Sequence, residues 1–182
     1  CSADQRPAPA GVLWPDWDNP FAFIPITGSE IEEEEGGSRS NPAEAARIYG
    51  LVQELLIPGD VTPDQIGIIT PYSGQVRALC DIFDSNRERE QGQRYSGLEI
   101  NSVDGYQGRE KEVIIFSAVR SNPDGIVGFL SDRRRLNVAI TRAKRGLIVL
   151  GDPQTLRYDP TWRSWLDWAE ERGLFAWHLV ND

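Results

Sequence analysis

GLEINSVDGYQGREKEVIIFSAVRSN, Gly97 to Asn122, and FLSDRRRLNVAITRAKRGLIVLGD, Phe129 to Asp152, decide how this chain folds. Each joins a polar segment containing glycine or arginine to a short apolar run that ends in polar residues. That layout is expected where loops at strand ends face a phosphate-rich ligand. In the first stretch Leu98–Val103 and Val113–Val119 are predicted as buried strands, because β-branched residues recur and the runs are too short for helices. Between them lies Asp104-Gly105-Tyr106-Gln107-Gly108-Arg109-Glu110. Its two glycines permit a sharp turn close to a ligand, and Glu110 offers a carboxylate that can accept from sugar hydroxyls. A solvated surface loop is the competing reading of the same residues.

The second stretch favours a site. Ser131-Asp132 is the predicted cap, and Leu136, Ala139, Ile140 and Ala143 fall at i, i+3, i+4 and i+7 to make one apolar helix face. At 3.6 residues per turn Arg135 and Arg142 lie together on the flank of that face. A guanidinium beside the core can be held rigidly and aimed at an anion across a cleft. Six of the nineteen Lys and Arg residues crowd here, namely Arg133, Arg134, Arg135, Arg142, Lys144 and Arg145.

These residues carry a family resemblance. Ser102-Val103-Asp104-x-x-Gln107-Gly108-x-Glu110 resembles motif V of superfamily 1 helicases, and Arg134-Arg135-Leu136-Asn137-Val138-Ala139-x-Thr141-Arg142-Ala143 resembles their motif VI. The fuller wording, QGREKEV, SAVRSN and RRLNVAITRAKRGLIVLGD, is similar to the branch of nonsense-mediated-decay RNA helicases and their relatives. IITPYSGQVRAL resembles motif IV, although some relatives carry a basic residue directly after the Gln, where this chain has Val76. The resemblance covers about Gly11 to Trp177.

It implies the second RecA-like domain of a helicase motor, a parallel α/β sheet flanked by helices. ATP would lie between this domain and a first RecA-like domain that carries the P-loop and the magnesium-binding acids. Arg142 would be the arginine finger, supported by Arg77 or Arg135. Gly108 and Glu110 would bind the nucleotide. Ser102, Val103 and the Thr70-Pro71-Tyr72 loop would hold the backbone of single-stranded RNA or DNA on the opposite edge. The sequence contains no G-x-x-x-x-G-K-[ST], so nothing in it cradles the β- and γ-phosphates, and the domain alone is expected not to hydrolyse ATP. A noncatalytic nucleic-acid-binding or scaffold domain of the same fold is the alternative.

Composition sets outer bounds. A chain of 182 residues with 40% apolar content suits one compact domain, and no apolar run approaches the length of a membrane span. A start at Cys1 and the absence of Met lead us to expect a piece of a longer protein, and these features constrain its expected cytoplasmic or nuclear location only weakly. Cys1, Cys80 and the single His178 make neither a disulfide framework nor a metal site. The net charge of −9 excludes nonspecific nucleic-acid binding by the whole surface, leaving a local basic cleft.

The rest of the chain supplies the frame. Residues 1–20 read as an irregular lead-in whose Trp14 and Trp17 dock on a domain spanning 21–182. Phe21–Ile26 is a candidate strand, and Thr27–Ser40, with its run of glutamates, reads as a solvated loop. Asn41-Pro42-Ala43-Glu44 is a helix start with a capping box, followed by an amphipathic stripe to Leu56. Ile66–Thr70 is a buried strand, Ser73 caps a helix with Val76, Leu79, Cys80 and Phe83 inward, and Leu147–Gly151 is a last strand. Trp162, Trp165, Trp168 and Ala169 form a helix stripe, read as buried rather than as a base-stacking platform.

Overall fold

The computed structural model describes residues 6–33, 37–87, 94–106 and 109–180. Five parallel strands form the central sheet: β1 (Phe21–Pro25), β4 (Ile66–Thr70), β5 (Glu99–Ser102), β6 (Lys111–Ser117) and β7 (Ala143–Gly151). Their order is β1-β7-β6-β4-β5. A two-stranded antiparallel ribbon, β2 (Ile31–Glu32) with β3 (Arg39–Ser40), stands apart within the acidic loop. The central strands β4 and β6 are rich in branched residues and mostly buried, as a sheet covered on both faces demands, whereas the edge strand β5 is half-buried.

Five helices cover the sheet: α1 (Pro42–Leu56), α2 (Ser73–Arg87), α3 (Arg133–Ile140), α4 (Pro153–Leu156) and α5 (Pro160–Glu171). The chain steps from β1 to β4 to β5 in one direction and returns to β6 and β7 in the other. Right-handed crossovers place outward and return connections on opposite faces. Accordingly α1 and α2 share one core with Ile66, Ile68 and Ile115, while α3 and α5 share the other with Ile69, Ile114 and Phe116. Residues 103–106 also lie on the second face, where the buried Tyr106 packs against Gly67. This is the RecA-like arrangement that the family resemblance implied.

Most elements lie where the sequence put them, and three differences matter. α3 ends at Ile140, so Arg142 occupies a turn and Ala143 begins β7 rather than closing a helix face. Trp14 is buried and donates its indole N–H to Pro9 O at 2.7 Å, but Trp17 is exposed. In α5, Trp162 is buried while Trp168 is 40% exposed under the Arg172 guanidinium. No described helix is long and apolar enough to cross a membrane.

Candidate active site

Motifs V and VI meet along the second face of the sheet. Asp132 caps α3 by accepting from the Arg134 and Arg135 amides at 3.0 and 3.4 Å, which fixes the first turn. Arg135 then reaches Asp104, 3.4 Å away in the segment after β5, and Asp132 at 3.6 Å, with its guanidinium over the Phe129 ring. Two turns later the Lys111 amide donates to Arg142 O at 3.1 Å, which sets Glu110 one residue from the level of Arg142. Glu110 faces Lys144 at 3.7 Å. Gly108 lies outside the described residues.

Arg142 is half-buried, and its Nε donates to Val138 O at 3.0 Å on the last turn of α3. Its terminal amino groups have no hydrogen-bond partner among the described residues. A guanidinium steered by one bond and otherwise unpaired is poised for an anion. Arg135 differs, since two carboxylates already face it.

Arg77 is not brought to Arg142. It sits near the start of α2, on the opposite face of the sheet, where it is paired with Glu33. The separation follows from the winding: α2 belongs to an outward crossover and α3 to a return one. Sequence spacing alone gave no means of telling the two faces apart.

The residues expected to hold nucleic acid do gather at one edge, the carboxyl ends of β4 and β5. Three of their side chains nevertheless point inward. Thr70 is fully buried, and Tyr72 and Val103 are each 4% exposed. Tyr72 donates to Val127 O at 3.3 Å, and Val103 N donates to Thr70 O at 3.2 Å. Pro71 and Ser102 keep partial exposure, so this edge presents them and backbone rather than the Thr70, Tyr72 or Val103 side chains.

A buried polar network behind that edge was not foreseen. Asn41 caps α1, its Oδ1 accepting from Glu44 N at 3.2 Å, and its amide donates to Gly28 O and Val119 O at 2.9 and 3.0 Å. Glu44 does not close the expected capping box. Its fully buried carboxylate turns to the sheet and accepts from Ser117 Oγ at 2.5 Å and from Val119 N at 3.0 Å. Burial pushes this carboxyl up to about 8, although the Ser117 and Val119 bonds pull the other way. A signal existed, because Glu44, Ile48, Leu51 and Leu55 share one helical stripe and place a carboxylate on the core side of α1.

The acidic loop likewise contributes an anchor. Glu30 accepts from Arg120 Nε at 3.0 Å, Ser121 N at 2.7 Å and Asn122 Nδ2 at 3.1 Å. Burial alone would raise the Glu30 pKa, but these bonds outweigh it and hold the group below the usual carboxylate range.

Comparison with known proteins decides the family. Residues 2–154 match the model of a family described as AAA domain. Over all 182 residues the chain is 41% identical to a regulator of nonsense transcripts 1 homolog of Drosophila melanogaster, covering 15% of that protein. It is 39% identical to the ATP-dependent helicase NAM7 of Saccharomyces cerevisiae, over 95% of this chain and 18% of that one. This chain belongs to the AAA domain family, in its superfamily 1 helicase branch. The helicase domain therefore spans less than a fifth of the length of these relatives.

Among the described residues Arg142 has terminal amino groups without a partner, whereas Lys144 is paired with Glu110, whose side chain is 55% exposed. No group of three metal-ligating side chains exists among the described residues.

Proposed function

We propose that this domain is the second half of an ATP-driven motor on single-stranded nucleic acid, closing over a nucleotide held chiefly by a P-loop domain. The observation that carries the reading is the bond from Lys111 N to Arg142 O, 3.1 Å, which joins the Glu110 turn to an arginine with free amino groups. Arg142 acts as the arginine finger, placing positive charge where the transferring phosphoryl group accumulates negative charge. Arg135 supports it from α3 after exchanging Asp104 or Asp132 for phosphate, and Glu110 accepts from the ribose hydroxyls. A magnesium ion would supply further charge neutralisation at the phosphates and would be held by residues of the other domain, leaving Arg142 and Arg135 as this chain's contribution.

Arg77 stands outside this constellation and belongs with the carboxyl edge. There Pro71, Ser102 and the backbone around Thr70, Tyr72 and Val103 contact the sugar-phosphate chain of RNA or DNA. Because one rigid sheet bears both edges, closure on the nucleotide moves the strand-holding edge against the partner domain, which is a translocation step.

Hydrolysis should be measured for this domain alone and for the polypeptide that joins it to a P-loop domain, each with and without single-stranded RNA and DNA. The joined protein should turn over ATP faster when a strand is present, and the domain alone should not. Strand-independent turnover, or hydrolysis by the isolated domain, would refute the proposal.

A further inference from the structure

Residues 117–122, at the carboxyl end of β6, are held in a form their own sequence does not favour. Val119 has φ of 71°, and it is the only non-glycine residue with positive φ among the described residues. A branched side chain is crowded against its own backbone there, so the conformation persists only if neighbours impose it. Two fully buried side chains from the start of α1 do so. Glu44 accepts the Val119 N–H with both oxygens at 3.0 Å, and Asn41 donates to Val119 O at 3.0 Å.

The turn has a consequence on the surface. It directs Ser121, Asn122 and Pro123 into one wall of a cleft of about 350 Å³, which Thr27, Ser29, Asp152 and Gln154 also line. Tyr158, 63% exposed, stands at its side, pressed against Gly125. The cleft opens at the carboxyl ends of β1, β6 and β7, where open α/β sheets bind ligands. Hydroxyls, amides, an aromatic ring and the Asp152 carboxylate, without a cation, suit the hydroxyl and amino donors of the sugar and base of an unpaired nucleotide better than its phosphate.

Helix stability does not call for a carboxylate at position 44. An apolar residue would complete the stripe with Ile48, Leu51 and Leu55, whereas a buried carboxyl without a cation is costly. We propose that Glu44 is a positioning residue for single-stranded nucleic acid: it holds Val119 in the left-handed region so that residues 121–123 form the wall against which a nucleotide seats. This rests on reading the domain as a nucleic-acid motor.

The test uses the polypeptide that joins this domain to a P-loop domain, with fluorescent oligouridylate and oligodeoxythymidylate as probes. Glu44→Leu keeps the volume but removes the acceptor, and should weaken oligonucleotide binding about tenfold, the scale of releasing a residue from the left-handed region. Affinity for a fluorescent ADP analogue should stay within about twofold. Glu44→Gln keeps an acceptor for the Val119 amide and should bind oligonucleotide like the wild type.

Glycine adopts positive φ freely, so in a Val119→Gly background Glu44→Leu should cost less than about threefold. A merely structural role for Glu44 would not be relieved by Val119→Gly. Should Glu44→Leu fail to fold, Glu44→Ala gives the same comparison. Wild-type affinity in the Leu or Ala variant, or a loss that the glycine background does not reduce, overturns the proposal. A wild-type protein that binds neither oligonucleotide overturns the motor reading itself, and is recognised before any substitution is made.

Discussion

Substituting Gly67 by Ala asks whether Tyr106 seats the segment that carries Asp104 and Glu110. A Cβ at position 67 would lie 1.9 Å from Tyr106 Oη, 2.7 Å from its Cζ and 3.0 Å from Ile114 Cδ1. Ordinary contact begins near 3.4 Å, so the stiff, fully buried ring must retreat and take residues 103–106 with it. Overpacking of this kind costs about 1–3 kcal/mol, and a clash this close belongs at the upper end. For a chain of 182 residues, about 3 kcal/mol corresponds to a fall of roughly 6–12 °C in Tm.

Tyr106→Phe supplies the control. Among the described residues the buried Tyr106 hydroxyl has no hydrogen-bond partner, so removing it should be neutral or stabilise by about 1 kcal/mol. In the double variant the ring carbon still crowds the new methyl, and roughly half of the Gly67→Ala loss should return. Urea denaturation followed by circular dichroism reads all three. A Gly67→Ala loss under about 0.5 kcal/mol, or strict additivity of the two changes, would refute the packing described here.

Three further outcomes follow from the same geometry. The Glu44 carboxyl lies near 8 in the folded chain against 4.5 when free, so folding takes up its proton. Its contribution is complete below about pH 4.5 and is lost as pH rises towards 8, at up to about 1.4 kcal/mol per pH unit. Glu44→Gln should therefore gain stability relative to the wild type between pH 5 and 8, and a constant difference across that range would contradict the assignment. Trp14→Ala should cost about 3–5 kcal/mol, because the ring fills the space beside Gly146 and Pro9; a loss under about 1 kcal/mol would detach the lead-in from the core. Glu110→Ala, titrated with a fluorescent nucleotide in the two-domain protein, should weaken binding about tenfold, and unchanged affinity would remove its ribose contact.

The sequence carried the layer structure because periodicity and turn chemistry are local. Asn41 and Pro42 announced α1 and Pro71 stopped β4, and both boundaries stand where those residues put them. The meeting of motifs V and VI could be anticipated from their matched composition. What could not be read was which face each crossover takes, and this separated Arg77 from Arg142. Thr70 and Val103 close strands that the sequence already reads as buried, and their packing keeps both side chains inward, away from the strand-holding edge the resemblance implied for them. Glu44 was legible in part: its place on the apolar stripe was visible, but its partner Val119 lies 75 residues away. Glu30 was hidden among glutamates of identical local character, and only its pairing with Arg120 distinguishes it.

Single-turnover hydrolysis by the two-domain polypeptide, with Arg142 intact or replaced by Ala, tests the arginine finger most directly. Arg142→Ala should slow the chemical step by about 10³ or more, while the affinity for a nonhydrolysable ATP analogue changes less than about threefold. A rate within tenfold of the wild type, or a loss found wholly in nucleotide affinity, would contradict it.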